Sequence, residues 1–149
     1  MSATTPRSAR VGLSALSRRV VVALWAGLLV TVGALVAPTL FRVLPERALA
    51  GLVAGELFHL VTWLSVPAAA LAFLLHAPDG PGPLRHRLWA LAPAALLLAN
   101  EFGLRPAMDA ARAAGRVTPA FMAWHAVSAA LYAGATLLAL LLLVREARR

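Results

Sequence analysis

The chain has 149 residues, 61% of them hydrophobic and 13% charged, with a mean hydropathy of +0.80. Soluble domains carry about 25% charged residues, so this composition cannot cover a water-facing surface and points to the lipid bilayer. The formal charge of +8 rests on 14 arginines with no lysine; these flank apolar runs instead of forming one basic face, which argues against a nucleic-acid partner.

Residues 1–19 are polar, carry Arg7, Arg10, Arg18 and Arg19, and read as a mobile cytoplasmic arm. The arm resembles the n-region of a secretory signal, with 20–37 as its h-region. The run is long and lacks an A-x-A site, so it is expected to be retained. Apolar spans follow at about 20–41, 48–75, 88–104 and 120–144, within one transmembrane domain over 20–144. A helix needs about 20 residues to cross the hydrocarbon, and lipid offers the backbone no other partner. The third run is the shortest. Its uninterrupted part, Leu88 to Ala99, covers roughly 18 Å of helix, so it crosses only by continuing through Asn100 and Glu101; otherwise it is a re-entrant piece.

The linkers are turns and surface segments. In "HAPDGPGPLRHR" (76–87), prolines and glycines around Asp79 reverse the chain, with His76 and His86 at the interface. "RPAMDAARAAGRV" (105–117) has Pro106 near a helix start and Gly115 at a stop, and reads as a short interfacial helix. Residues 145–149 form a basic cytoplasmic tail. Four crossings with the N-terminus inside place nine arginines inside and five outside. The expected fold is therefore all-α: an integral membrane four-helix bundle, up-down-up-down, with both termini cytoplasmic and an interfacial helix between helices 3 and 4.

"GELFHL" (55–60) places Glu56 and His59 inside an apolar run. Their three-residue spacing puts both on one helical face. With the second helix starting outside near Ala48, they lie about 12 and 16 Å deep. His125, on the fourth helix, lies about 9 Å deep, and Glu101 about 5 Å below the end of the third. Phe121, His125, Ser128 and Tyr132 share a face by helical spacing. A polar layer in the outer half is thus expected from Glu56, His59, Glu101, His125, Asn100, Ser128 and Tyr132, with Glu56 and His59 facing His125. Arg42, capping the first helix, can fold back to pair with Glu56 or Glu101 or else snorkel at the interface. No comparable set is expected in the inner half. Trp25, Trp89 and Trp124 read as interfacial anchors, and Gly51 and Gly55 as a GxxxG packing pair.

"LWAGLLVTVGALVAPTLFRVLPERALAGLVAGELF", "NEFGLRPAM" and "FMAWHAVS" resemble the transmembrane-protein-205-like family. The marks are Trp25, Gly27, Phe41-Arg42 with Pro45, Phe58, Asn100 with Pro106, and Phe121 with His125 and Ser128; Ala126 stands where that pattern usually has Gly. The resemblance spans Leu24 to Tyr132 and implies four helices in a bacterial inner or eukaryotic internal membrane, with no established reaction. In architecture alone, the chain is also similar to small copper-resistance and haem-pathway membrane proteins with buried histidines.

Several readings of the polar layer stand. Glu56, His59, His125 and Glu101 together suit a mononuclear Zn, Mn or Fe site; His59 and His125 suit a bis-histidine haem. The same residues with Asn100, Ser128 and Tyr132 also suit interhelical hydrogen bonding, each bond contributing about 0.6 kcal/mol, or a small-ligand pocket. There is no cysteine, which excludes disulfides and thiolate metal sites. No phosphate loop, nucleophile elbow or catalytic triad is present. The favoured reading is a non-enzymatic, multi-pass protein of the bacterial inner (plasma) membrane: an accessory or assembly subunit, or a small-ligand binder, as a homo-oligomer or within a membrane complex, with no cofactor. The rival is a metal- or haem-binding, redox-linked membrane protein.

Overall fold

The first helix is described from a proline onward, and another proline distorts its far end. In the computed structural model, which describes residues 6–75, 84–115 and 118–148, α1 runs Pro6–Val30. A π-helical turn, Thr31–Val36, follows, then α2, Ala37–Val43. The three form one rod. Pro38 has no N–H to return to Ala34 and its ring crowds that carbonyl. The extra residue in the turn just before it, where the Ala37 N–H reaches Val32 O, absorbs the misfit. Residues 6–19, expected as a mobile arm, continue this helix. After Pro6 the segment has no proline, and Arg18 is anchored in the interior. Pro45 ends the rod by holding Leu44 extended.

The second rod is α3, Arg47–Leu74, which tolerates Pro67 in its interior. The third consists of α4, Leu84–Leu88, a 3₁₀ turn, Trp89–Leu91, and α5, Ala92–Gly103. Pro93 cannot donate to the Trp89 carbonyl; the tightened turn lets the Ala92 N–H take that acceptor instead. After one residue comes α6, Arg105–Ala113, closed at Gly115, whose φ of +65° suits glycine. The last rod is α7, Pro119–Ala147. Thr118 caps it, its hydroxyl accepting from the Phe121 N–H at 3.2 Å, and Pro119 fills the first position. The expected reversal at 76–83, with His76 and Asp79, lies outside the described residues, as does the side chain of His86.

Every regular element among the described residues is a helix. Three helices are long and apolar enough to cross a membrane: Gly12–Val43, Arg47–Leu74 and Pro119–Ala147. The first rod packs on α3 and α7, and α5 packs on the same two. The interior is built from small residues: Ala26, Ala37, Ala50, Ala54, Ala69, Ala72, Ala90, Ala94, Ala135 and Ala139 are buried, while Leu24, Leu35, Leu52, Leu60, Leu71 and Leu137 are exposed. A soluble protein would favour the reverse. Small seams inside and leucines outside are what association within lipid selects, because hydrocarbon already accommodates leucine and close approach is what remains to be gained.

Among the small residues spaced for close approach, Gly33 is the one that makes it. A Cβ at Gly33 would stand 2.6 Å from Tyr132 Cε1, whereas at Gly55 it would meet nothing within 4 Å. Gly51–Gly55 is therefore not the close helix contact; Gly33 against Tyr132 is. Trp25 is no interfacial anchor either. It is 3% exposed and its indole N–H donates to Ser65 Oγ at 2.8 Å, while that hydroxyl donates to Val61 O at 2.7 Å. Trp89 does lie exposed.

Candidate functional site

Two successive turns of α3 deliver Glu56 and His59. The end of α5 delivers Glu101, and the start of α6 delivers Arg105. Only Leu104 separates α5 from α6, so Glu101 and Arg105 keep a helical i,i+4 relation and their side chains meet, Nη1 to Oε2 at 3.5 Å. Across the interface with α3, the His59 ring nitrogen Nδ1 donates to Glu101 Oε1 at 2.5 Å. The guanidinium of Arg105 donates through Nη2 to Glu56 Oε1 at 2.7 Å and through Nη1 to the Gly55 carbonyl at 3.3 Å. Its Nε donates to Asp109 Oδ2 at 3.3 Å, and Arg112 holds the other oxygen of Asp109 at 2.6 Å. Trp63 sets its ring edge-on to both His59 and Phe102.

Burial is uneven across this network. The Glu101 side chain is 10% exposed, that of Arg105 22%, and that of Glu56 61%. Glu101 thus carries the desolvated end and Glu56 the accessible end. Three carboxylates stand against two guanidiniums; His59, when protonated, brings the third positive charge. Glu101 bridges the imidazole and the guanidinium, so loss of that one carboxylate would leave two donors facing each other.

Not all of the expected layer assembles. Glu56, His59 and Glu101 come together, joined by an arginine that is not Arg42. Arg42 lies exposed in the last turn of α2 and makes no ion pair among the described residues. Of the two readings of Arg42, pairing and snorkelling, its exposure agrees with the second; Arg105 makes the pairing instead, because the one-residue junction between α5 and α6 sets it over Glu101. His125 does not face Glu56 and His59. It is exposed and stacks on Phe121 of its own helix at 6.4 Å, because the N-terminal half of α7 stands clear of the interior. From Pro119 to Leu131 that helix buries no residue, while Ala135, Ala139, Leu142 and Glu146 below are buried. Ser128 is half-buried and has no hydrogen bond among the described residues. Tyr132 enters the core, donating to Leu29 O at 2.9 Å and meeting the Phe58 ring edge-on at 4.7 Å. Asn100 leaves Oδ1 buried without a partner among the described residues. No group of three or more His, Asp or Glu is placed to hold a metal among those residues.

Sequence reasoning missed the charged pair at the other end of the rods. Arg18 of α1 and Glu146 of α7 form a buried ion pair, Nε to Oε2 at 2.7 Å, with both side chains 3% exposed. Arg18 also donates to Leu75 O, at the end of α3, at 3.2 Å. Arg18 had been counted among the flanking arginines, and Glu146 fell inside the tail read as basic. Arg105, Asp109 and Arg112 were overlooked in the same way, although Glu101, Arg105 and Asp109 follow one another at four-residue steps, the spacing of helical ion pairs.

These residues can be set against known proteins. Residues 20–117 match the family described as a domain of unknown function (DUF4149). The chain belongs to that family. The matched stretch contains the whole Glu56–His59–Glu101–Arg105–Asp109–Arg112 network and stops before α7, so His125, Ser128 and Tyr132 lie beyond it. No curated protein and no solved structure matches the chain.

Proposed function

We propose that the protein is a non-enzymatic accessory or assembly subunit of the bacterial inner membrane. Its four rods would cross the bilayer up-down-up-down with both termini cytoplasmic. The arginine distribution supports that orientation, and the likeness to the transmembrane-protein-205-like family supports the setting. The observation that carries the reading is the pairing of Arg105 with Glu56, Glu101 and Asp109 while Glu101 also engages His59. Glu56, His59, Glu101 and Arg105 are partnered across helix junctions, and Asp109 and Arg112 within α6. A layer closed on itself in this way fastens α3 to α5 and α6 and fixes the shape the protein presents.

The outer half of α7 supports an accessory role. An imidazole at His125, exposed on a membrane-crossing helix, is unfavourable in hydrocarbon. A neighbouring transmembrane helix with a hydrogen-bonding or acidic side chain opposite His125 removes that penalty.

The test is metal analysis, visible absorption and thermal unfolding of the purified wild type, His59→Asn and Glu101→Gln. The expected wild type is colourless and without stoichiometric metal, and both variants remain folded with lowered unfolding temperatures. Stoichiometric metal or haem in the wild type, lost from both variants, would establish the metal- or haem-binding alternative instead.

A further inference from the structure

An open groove is lined by Trp89, Leu138, Leu141, Leu142 and Arg145. It lies about 18 Å along the third rod from Glu101, near the opposite end. Leu138, Leu141, Leu142 and Arg145 follow i, i+3, i+4, i+7 spacing and so form one face of α7. Trp89 meets this face because the 3₁₀ turn imposed by Pro93 places it beside α7. The wall is aliphatic, and the guanidinium of Arg145 stands 5.7 Å from the Trp89 ring centroid at its end.

No carboxylate of the described residues balances the charge of Arg145. Its sequence neighbour Glu146 points inward to Arg18, and Arg145 itself makes no ion pair among the described residues. Arg145, Trp89 and Leu141 are exposed. An arginine fork matches phosphate geometry, an indole favours the headgroup level, and the leucines below favour hydrocarbon. We propose that this groove binds one anionic phospholipid, its phosphate on Arg145 beside Trp89 and an acyl chain along Leu138, Leu141 and Leu142. A lipid is favoured over a polypeptide because the wall offers a single cation at one end and aliphatic surface below, with no row of backbone partners.

The test is native mass spectrometry of the full chain released from mixed micelles with equal phosphatidylglycerol and phosphatidylcholine. The wild type retains one phosphatidylglycerol in preference to phosphatidylcholine, and Arg145→Gln reduces that adduct about five-fold, the loss of one arginine's attraction to anionic lipid. Arg145→Lys keeps most of it, and Arg47→Gln, at an exposed arginine elsewhere, leaves it unchanged. Leu141→Trp, which fills the groove without touching the charge, removes the adduct, so the proposal remains testable if Arg145→Gln fails to fold. Excess inorganic phosphate leaves the adduct in place. Equal retention of both lipids, an adduct unaffected by Arg145→Gln or Leu141→Trp, displacement by phosphate, or a co-purifying polypeptide in the groove would each overturn the proposal.

Discussion

Arg18 and Glu146 are each almost wholly enclosed, and each is the other's counter-charge. Removing one member of such a pair takes a close counter-charge from the other where water cannot reach it, a loss of up to about 3–5 kcal/mol. Arg18→Ala should therefore unfold the protein at markedly lower denaturant in detergent. The double replacement Arg18→Met with Glu146→Leu should recover most of that loss, because it removes both charges and fills the same volume. A double variant no better than Arg18→Ala would mean that the Arg18 bond to the Leu75 carbonyl, and not the ion pair, is what matters. Arg105→Ala should lower the unfolding temperature much more than Arg42→Ala, since Arg105 binds three carboxylates and Arg42 none. Equal shifts would show that the Arg105 network carries no stability. Asn100→Leu should leave stability unchanged or raised, because Oδ1 has no bond to lose.

The three long helices were readable from hydropathy, since few sequences other than membrane spans run 18 apolar residues without a charge; the helical course of residues 6–19 was not, because their polar composition gives no such signal. Their partners were less readable. Depth along a helix follows from residue count, but the rotation of each helix about its axis does not, and rotation decides whether His125 looks inward. The long apolar run of α7 has no clear apolar face, because lipid and protein interior both accept Leu and Ala; nothing in "FMAWHAVS" shows that this half stands away. Arg18 was hidden for a related reason. A charge just beyond an apolar run reads as a flank unless its opposite, 128 residues away, is known to share the helix end.

The contact between Gly33 and Tyr132 belongs to the same class. It joins the π-helical turn to α7 at a place where only a missing side chain permits the ring to lie. Gly33→Ala should destabilise by about 1–3 kcal/mol through overpacking. Combined with Tyr132→Ala it should cost less than the sum of the two single variants, because the clash disappears with the ring. Strict additivity, measured by equilibrium unfolding, would place the tight approach elsewhere.

The rods, their seams and their charged ends fit together as an integral membrane protein. For the proposed four crossings, reporter fusions after Gly80 and after Arg149 should both behave as cytoplasmic, and one after Gly115 as external. An external signal after Arg149 would mean that the rod from Leu84 to Gly103 does not cross.

The outer network is the central feature of the account, because it ties α3 to the α5–α6 junction and closes the polar layer upon itself. The coupling between His59 and Glu101 tests this most directly, measured as a double-mutant cycle of His59→Asn and Glu101→Gln by equilibrium unfolding in detergent or bilayer. If the pair fastens the helices, the cycle returns a favourable coupling of roughly 0.5–1.5 kcal/mol, within the range for hydrogen bonds between membrane helices. Two single losses that simply add would contradict the account, and would leave His59 and Glu101 as neighbours that do not hold the helices together.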